Sequence, residues 1–250
     1  MLWYKSWLET RWRFLIGLAL LLCSAGATVL VYPKILQLTR FVPANVSGEI
    51  GERIREAAAL SREYRGYVWS QWFRQNLPQW GTLFAVLLGA AGALSTSAGA
   101  LFTLSLPISR ARLLTVRAAL GLGELFLLTL VPSLLIPLLS PTIGETYSIV
   151  DAIVHSVCFF VVVSAFFSLA LLLSTVFDDV WRPVLIALGI AFVLSLLSRV
   201  YNRPYSGYGL MSAESYFRSG HIPWLGLLAS AAVSALLIWA ATSNLSRRDF

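Results

Sequence analysis

The chain has 250 residues, of which 58% are hydrophobic and 12% charged. A soluble domain carries about 25% charge, so a water-soluble enzyme or binding module is excluded and an all-α integral membrane protein fits. The net charge of +7 is scattered singly among apolar runs. That argues against a nucleic-acid surface and for anionic headgroups and an acidic partner surface.

Residues 1–13 alternate bulky aromatics with charges. Trp3, Trp7 and Trp12 fall near one side at helical spacing, which predicts an interfacial helix with Lys5, Arg11 and Arg13 toward headgroups. Span 1 is expected over 14–32, about 28 Å of helix against a hydrocarbon core of about 30 Å. Ala25-Gly26-Ala27 has the form of a signal-peptidase site, but the apolar run continues past it, so this span is expected to be retained. Residues 33–79 form an expected extracytoplasmic loop. Pro33 and Pro43 break it, and an amphipathic helix is predicted over about Glu49–Arg65, capped by Ser47. Glu52, Glu56 and Glu63 there read more simply as a solvated helix face than as a catalytic cluster. Trp69, Trp72, Phe73 and Trp80 mark the return to the interface.

Span 2 is expected over 80–97, with Gly89 and Gly92 allowing close helix approach. The stretch 98–117 is basic and carries no acid: Arg110, Arg112 and Arg117 stand in it. Pro107 cannot continue a helix, and Ser109 is placed to cap a new one beginning at Arg110. Span 3 is expected over 118–140, with Pro132 and Pro137 inside it. An acid at mid-bilayer costs about 2.5–3.5 kcal/mol, so Glu124 must face protein or water. It is either a functional intramembrane acid or a residue that pairs near the cytoplasmic end. Span 4 is expected over 149–176, with His155 near its start read as a hydrogen-bonded residue. Asp178 and Asp179 read as helix-end polarity, and Pro183 opens span 5 over 183–198. Residues 199–222 are aromatic and Gly-rich without a full span. Span 6 follows over 223–243, and 244–250 form a basic tail. Cys23 and Cys158 lie in apolar runs and are expected to pack there as small apolar side chains.

The run Leu104-Ser105-Leu106-Pro107-Ile108-Ser109-Arg110, followed by Leu113-Leu114 and Arg117, resembles the membrane subunits of ABC exporters, the ABC type-2 permeases. The end of the chain, Ser246-Arg247-Arg248-Asp249-Phe250 after an apolar helix, is similar to theirs. That family often places an acid just before this segment, whereas Ser95-Thr96-Ser97-Ala98-Gly99 keeps only the glycine. The resemblance implies six spans, with 98–117 as a cytoplasmic coupling segment and short extracytoplasmic re-entrant helices between spans 5 and 6. It assigns contact with an ABC ATPase to Leu104, Leu106, Pro107, Ile108, Ser109, Arg110 and Arg112. A second permease copy or a related permease would complete the pathway.

With six spans both termini lie on one side. The short flanks carrying Lys5, Arg11, Arg13, Arg110, Arg112, Arg117 and Arg182 favour the cytoplasm for that side of a plasma (inner) membrane. No phosphate-cradling Gly-x-x-x-x-Gly-Lys-Ser/Thr occurs, so no cofactor is expected in this chain, and ATP and magnesium belong to the ATPase. The alternatives are a proton-coupled secondary transporter with Glu124 as carrier, an intramembrane enzyme, or a membrane scaffold.

Overall fold

Long apolar runs without water must satisfy their backbone internally, which leaves helices as the economical solution. The computed structural model describes residues 2–39, 58–90, 110–177, 179–201 and 207–247, and its described residues are helical with no strand. Helix α1 (Leu2–Thr39) is followed by a short α2 (Tyr64–Val68), a π-helical stretch (Trp69–Asn76) and α3 (Leu77–Ala90). Then come α4 (Arg110–Leu139), a 3-10 turn (Ser140–Ile143) and α5 (Ile149–Val176). The chain continues with α6 (Trp181–Tyr201), two short helices α7 (Gly207–Met211) and α8 (Glu214–Ser219), and α9 (Trp224–Arg247). Among the described residues five segments are long and apolar enough to cross a membrane: Leu2–Leu38, Ala111–Ile143, Ile149–Val176, Trp181–Ser198 and Trp224–Leu245.

Two expected boundaries are not breaks. The interfacial helix expected over 1–13 is continuous with span 1, and α1 runs on through Pro33. Pro33 costs the helix one N–H donor, and the apolar surface α1 buries on either side of it outweighs that loss. Likewise, the helix expected to begin at 80 is already running at Tyr64. Upstream, residues 58–62 are helical and the chain bends at Glu63, which takes extended angles, so the predicted helix does not pass unbroken to Arg65. The fold-back brings Leu60 O so close to Gly66 that a Cβ there would meet it at 2.5 Å.

The π-helical stretch packs inward: Trp69, Trp72 and Phe73 are fully buried on its wider i→i+5 turn. The buried face continues through Leu77, Gly81, Ala85 and Gly89 of α3.

Helix α3 lies between α1, α4 and α5. Gly121 faces the Phe167 ring, 2.6 Å from where a Cβ would stand, and Gly89 lies directly against the Phe167 carbonyl. Such approach of backbones is what small residues permit in a bundle without a hydrophobic driving force between helices. Hydroxyls add short bridges between α5 and α9: Ser168 Oγ and Ser234 Oγ are 2.7 Å apart, and Asn244 Nδ2 donates to Thr175 Oγ1 at 3.0 Å. At the α5–α6 turn Asp179 accepts from the Arg182 N–H at 2.8 Å, the helix-end role expected of it. Asp178 lies outside the described residues.

Candidate functional site

Side-chain pairings define two ends of the bundle. At one end stand the starts of α1 and α4 and the close of α3. Glu9 pairs with Arg117 at 2.5 Å, across 108 positions of chain. Arg117 has 12% of its side chain exposed and Glu9 37%, so the pair sits half in and half out of the packed interior. About two turns along α4 from Arg117, Thr10 Oγ1 donates to Glu124 Oε1 at 2.6 Å. Glu124 is only 4% exposed, and its Oε2 has no hydrogen-bond partner among the described residues. Arg13 Nη1 donates to Leu87 O at 2.9 Å, joining α1 to α3. A cavity of about 10 Å³, lined by Ser6, Glu9, Thr10, Leu88, Arg117 and Gly121 among others, lies inside this seam. It holds one water at most.

These residues bracket the basic segment singled out in the sequence. Leu104, Leu106, Pro107, Ile108 and Ser109 lie outside the described residues, as do 91–97, the remainder of the expected second span. Arg110 is the first residue of α4 and Arg112 stands exposed on its first turn. The seam ties both flanks of 91–109 to α1: Leu87 through Arg13, and Arg117 through Glu9. The sequence requires Glu124 to face protein or water, and it is buried against Thr10. The sequence does not disclose Thr10 as that partner, nor the Glu9–Arg117 and Arg13–Leu87 contacts, because nothing local connects residues more than seventy positions apart. Residues 1–13 and 110–124 both carry a net positive charge, so charge complementarity offers no signal there.

The opposite end is aromatic. Tyr64 Oη and Ser140 Oγ are 2.7 Å apart, and Tyr32 Oη donates to Arg62 O at 3.2 Å. Trp69 stacks on Phe217 with centroids 4.3 Å apart and donates through Nε1 to Ser212 O at 3.0 Å. Asp151 gathers a second knot: it accepts from Arg65 Nε at 2.9 Å and from Tyr216 Oη at 3.0 Å. His155 is fully buried, and its Nδ1 lies 2.7 Å from Asp151 O, a contact that needs the proton on Nδ1. Its Nε2 is then an acceptor, with no partner among the described residues. His155 is thus the hydrogen-bonded residue expected, with its partner Asp151 four residues before it. Burial, and after it the negative charge of Asp151, pushes the Tyr147 phenol above its ordinary value. Among the described residues no group of three His, Cys, Asp or Glu is placed to hold a metal ion.

Five apolar helices with charges buried between them define a multi-pass helical membrane protein. Comparison of the chain with protein-family models, with curated proteins and with solved structures gives no match.

Proposed function

We propose that this chain is the membrane subunit of an ATP-driven ABC exporter in a plasma membrane. The 98–117 segment is its coupling contact with an ATPase on a separate polypeptide, and a dimer of permeases forms the pathway. In this reading the helical run from Tyr64 to Ala90 is the body of a sixth span, both termini lie in the cytoplasm, and 207–219 supplies the short outer helices. ATP and magnesium are bound by the partner. One observation carries the reading: both flanks of the basic, proline-broken segment are fastened to the same helix, by Arg13 to Leu87 O and by Glu9 to Arg117. A push on such a segment moves α1, α3 and α4 together.

The test is purification of the tagged chain from its own membranes, followed by assay of ATP hydrolysis in the eluate. The expected result is a co-purifying ATPase whose substrate-stimulated turnover falls when Leu106 and Ile108 are both replaced by Asp. Full coupling in that variant, or no ATPase in the eluate, overturns it. The orphaned Oε2 of Glu124 favours one second reading, a proton-coupled transporter. That reading predicts uptake into liposomes containing this chain alone, driven by a pH gradient and abolished in Glu124→Gln.

A further inference from the structure

The helical run 64–90 turns a polar face outward at a depth where hydrocarbon is expected. Asn76 Nδ2 donates to Thr28 Oγ1 at 3.4 Å, and a Cβ on Gly17 would stand 2.8 Å from the Phe84 ring. Residues 76–84 therefore run beside 17–28, the apolar middle of the first membrane-crossing helix. Gln79 is nevertheless exposed in this stretch, and Gln75 and Arg74 are exposed just above it. The Arg74 guanidinium lies 5.4 Å over the Trp69 ring. Polar groups at membrane depth face protein, water or a polar ligand rather than acyl chains.

Gln79 lines a cleft of about 410 Å³ between α3 and α6, bounded by Tyr208 and walled by Trp80, Thr82, Leu83, Leu188 and Phe192 among others, and Arg74 and Gln75 stand about one turn before it on the same helical run. Thr82 is 4% exposed, and its Oγ1 has no hydrogen-bond partner among the described residues. The volume falls near the low end of ligand pockets, about 300–1,000 Å³, which suits one hydrocarbon chain better than two. The cleft lies between two helices at membrane depth, so the bilayer supplies its chain-bearing ligands. The Gln79 amide at its wall, with the exposed Arg74 and Gln75 about one turn before it on the helix, offers hydrogen-bond donors suited to an anionic head.

From this juxtaposition we infer that the cleft between α3 and α6 binds an anionic single-chain amphiphile. Its chain lies against Trp80, Leu188 and Phe192, and its head is held by Arg74, Gln75 and Gln79. The site belongs to this chain alone and needs no ATPase, so it stands or falls separately from the exporter reading.

The full chain in nanodiscs of zwitterionic phosphatidylcholine is photolabelled with a palmitate analogue bearing a diazirine in its chain. Label is expected on the peptides containing Trp80–Leu83 and Leu188–Phe192. Palmitate should compete at least about tenfold better than uncharged hexadecanol or two-chain phosphatidylglycerol. Arg74→Gln should remove that preference while leaving hexadecanol competition and the elution profile unchanged, and Arg74→Lys should retain it. The inference is overturned by label confined to the exposed face of α9, by equal competition from the neutral or two-chain lipid, or by an unaltered preference in Arg74→Gln. It is also overturned if Gln79→Cys forms a disulfide with a second copy and the cleft takes up no probe.

Discussion

The two ends of this bundle are fastened by different chemistry. At the Glu9–Arg117 end, three long helices meet through charges: an ion pair, a carboxyl held by a threonine, and a guanidinium on a carbonyl. At the Asp151 end, short elements are held chiefly by rings, with Trp69 on Phe217, Tyr32 against Tyr64 and Phe73 against His155. Ion pairs are directional and exchange partners at discrete positions, whereas stacked rings resist loss of area in any direction. The charged end is therefore suited to passing on a displacement, and the ring-packed end to holding still.

The largest expected effect breaks both ends at once. Gly89 lies against the Phe167 carbonyl, which cannot swing aside, so Gly89→Ala should cost about 3 kcal/mol or prevent folding. Gly123 has nothing within 4 Å of a Cβ, and Gly123→Ala should leave detergent-solubilised thermal unfolding unchanged or slightly improved. Next in size is Thr10→Val. It removes the donor from the buried Glu124 carboxyl and should cost about 1–3 kcal/mol, more than Glu124→Leu with its apolar replacement, as read by unfolding in mixed micelles.

At the aromatic end, Trp69→Phe keeps a ring against Phe217 but loses the bond to Ser212 O. It should cost about 1 kcal/mol and speed hydrogen exchange in 207–219 without affecting 110–124. A double-mutant cycle over Glu9→Gln and Arg117→Met should return about 1 kcal/mol of coupling or less, because Glu9 is partly solvated. The smallest effect concerns pH. The Tyr147 phenol is raised in the folded chain, so its contribution is complete below the unfolded value of about 10 and is lost as pH climbs toward the folded value. Exchange around 145–155 should accelerate above about pH 10, and Tyr147→Phe should remove that component.

Much of the helix layout was legible because it is local. Ser148 before an apolar run places the start of α5, and its Oγ accepts from the Asp151 N–H at 3.3 Å. The cost of an acid among leucines directed Glu124 away from lipid, toward protein or water, without any knowledge of its partner. What the sequence could not disclose was set by pairing across the chain. Arg65 meets Asp151 across 86 positions, and no periodicity relates them. The π-helical stretch was equally hidden, since nothing in the composition of Trp69–Asn76 marks a wider turn. Trp69, Trp72 and Phe73 were read as interface markers, yet all three are fully buried: amphipathic rings suit a water boundary and a ring-packed core alike.

One consequence follows from the continuity of α1. Arg13 and Tyr32 are separated by a stiff strut about 28 Å long that carries no hinge between them. Tilting it at the foot must swing the tyrosine nest at its head, so anything that seizes the residues at one end resists movement of those at the other.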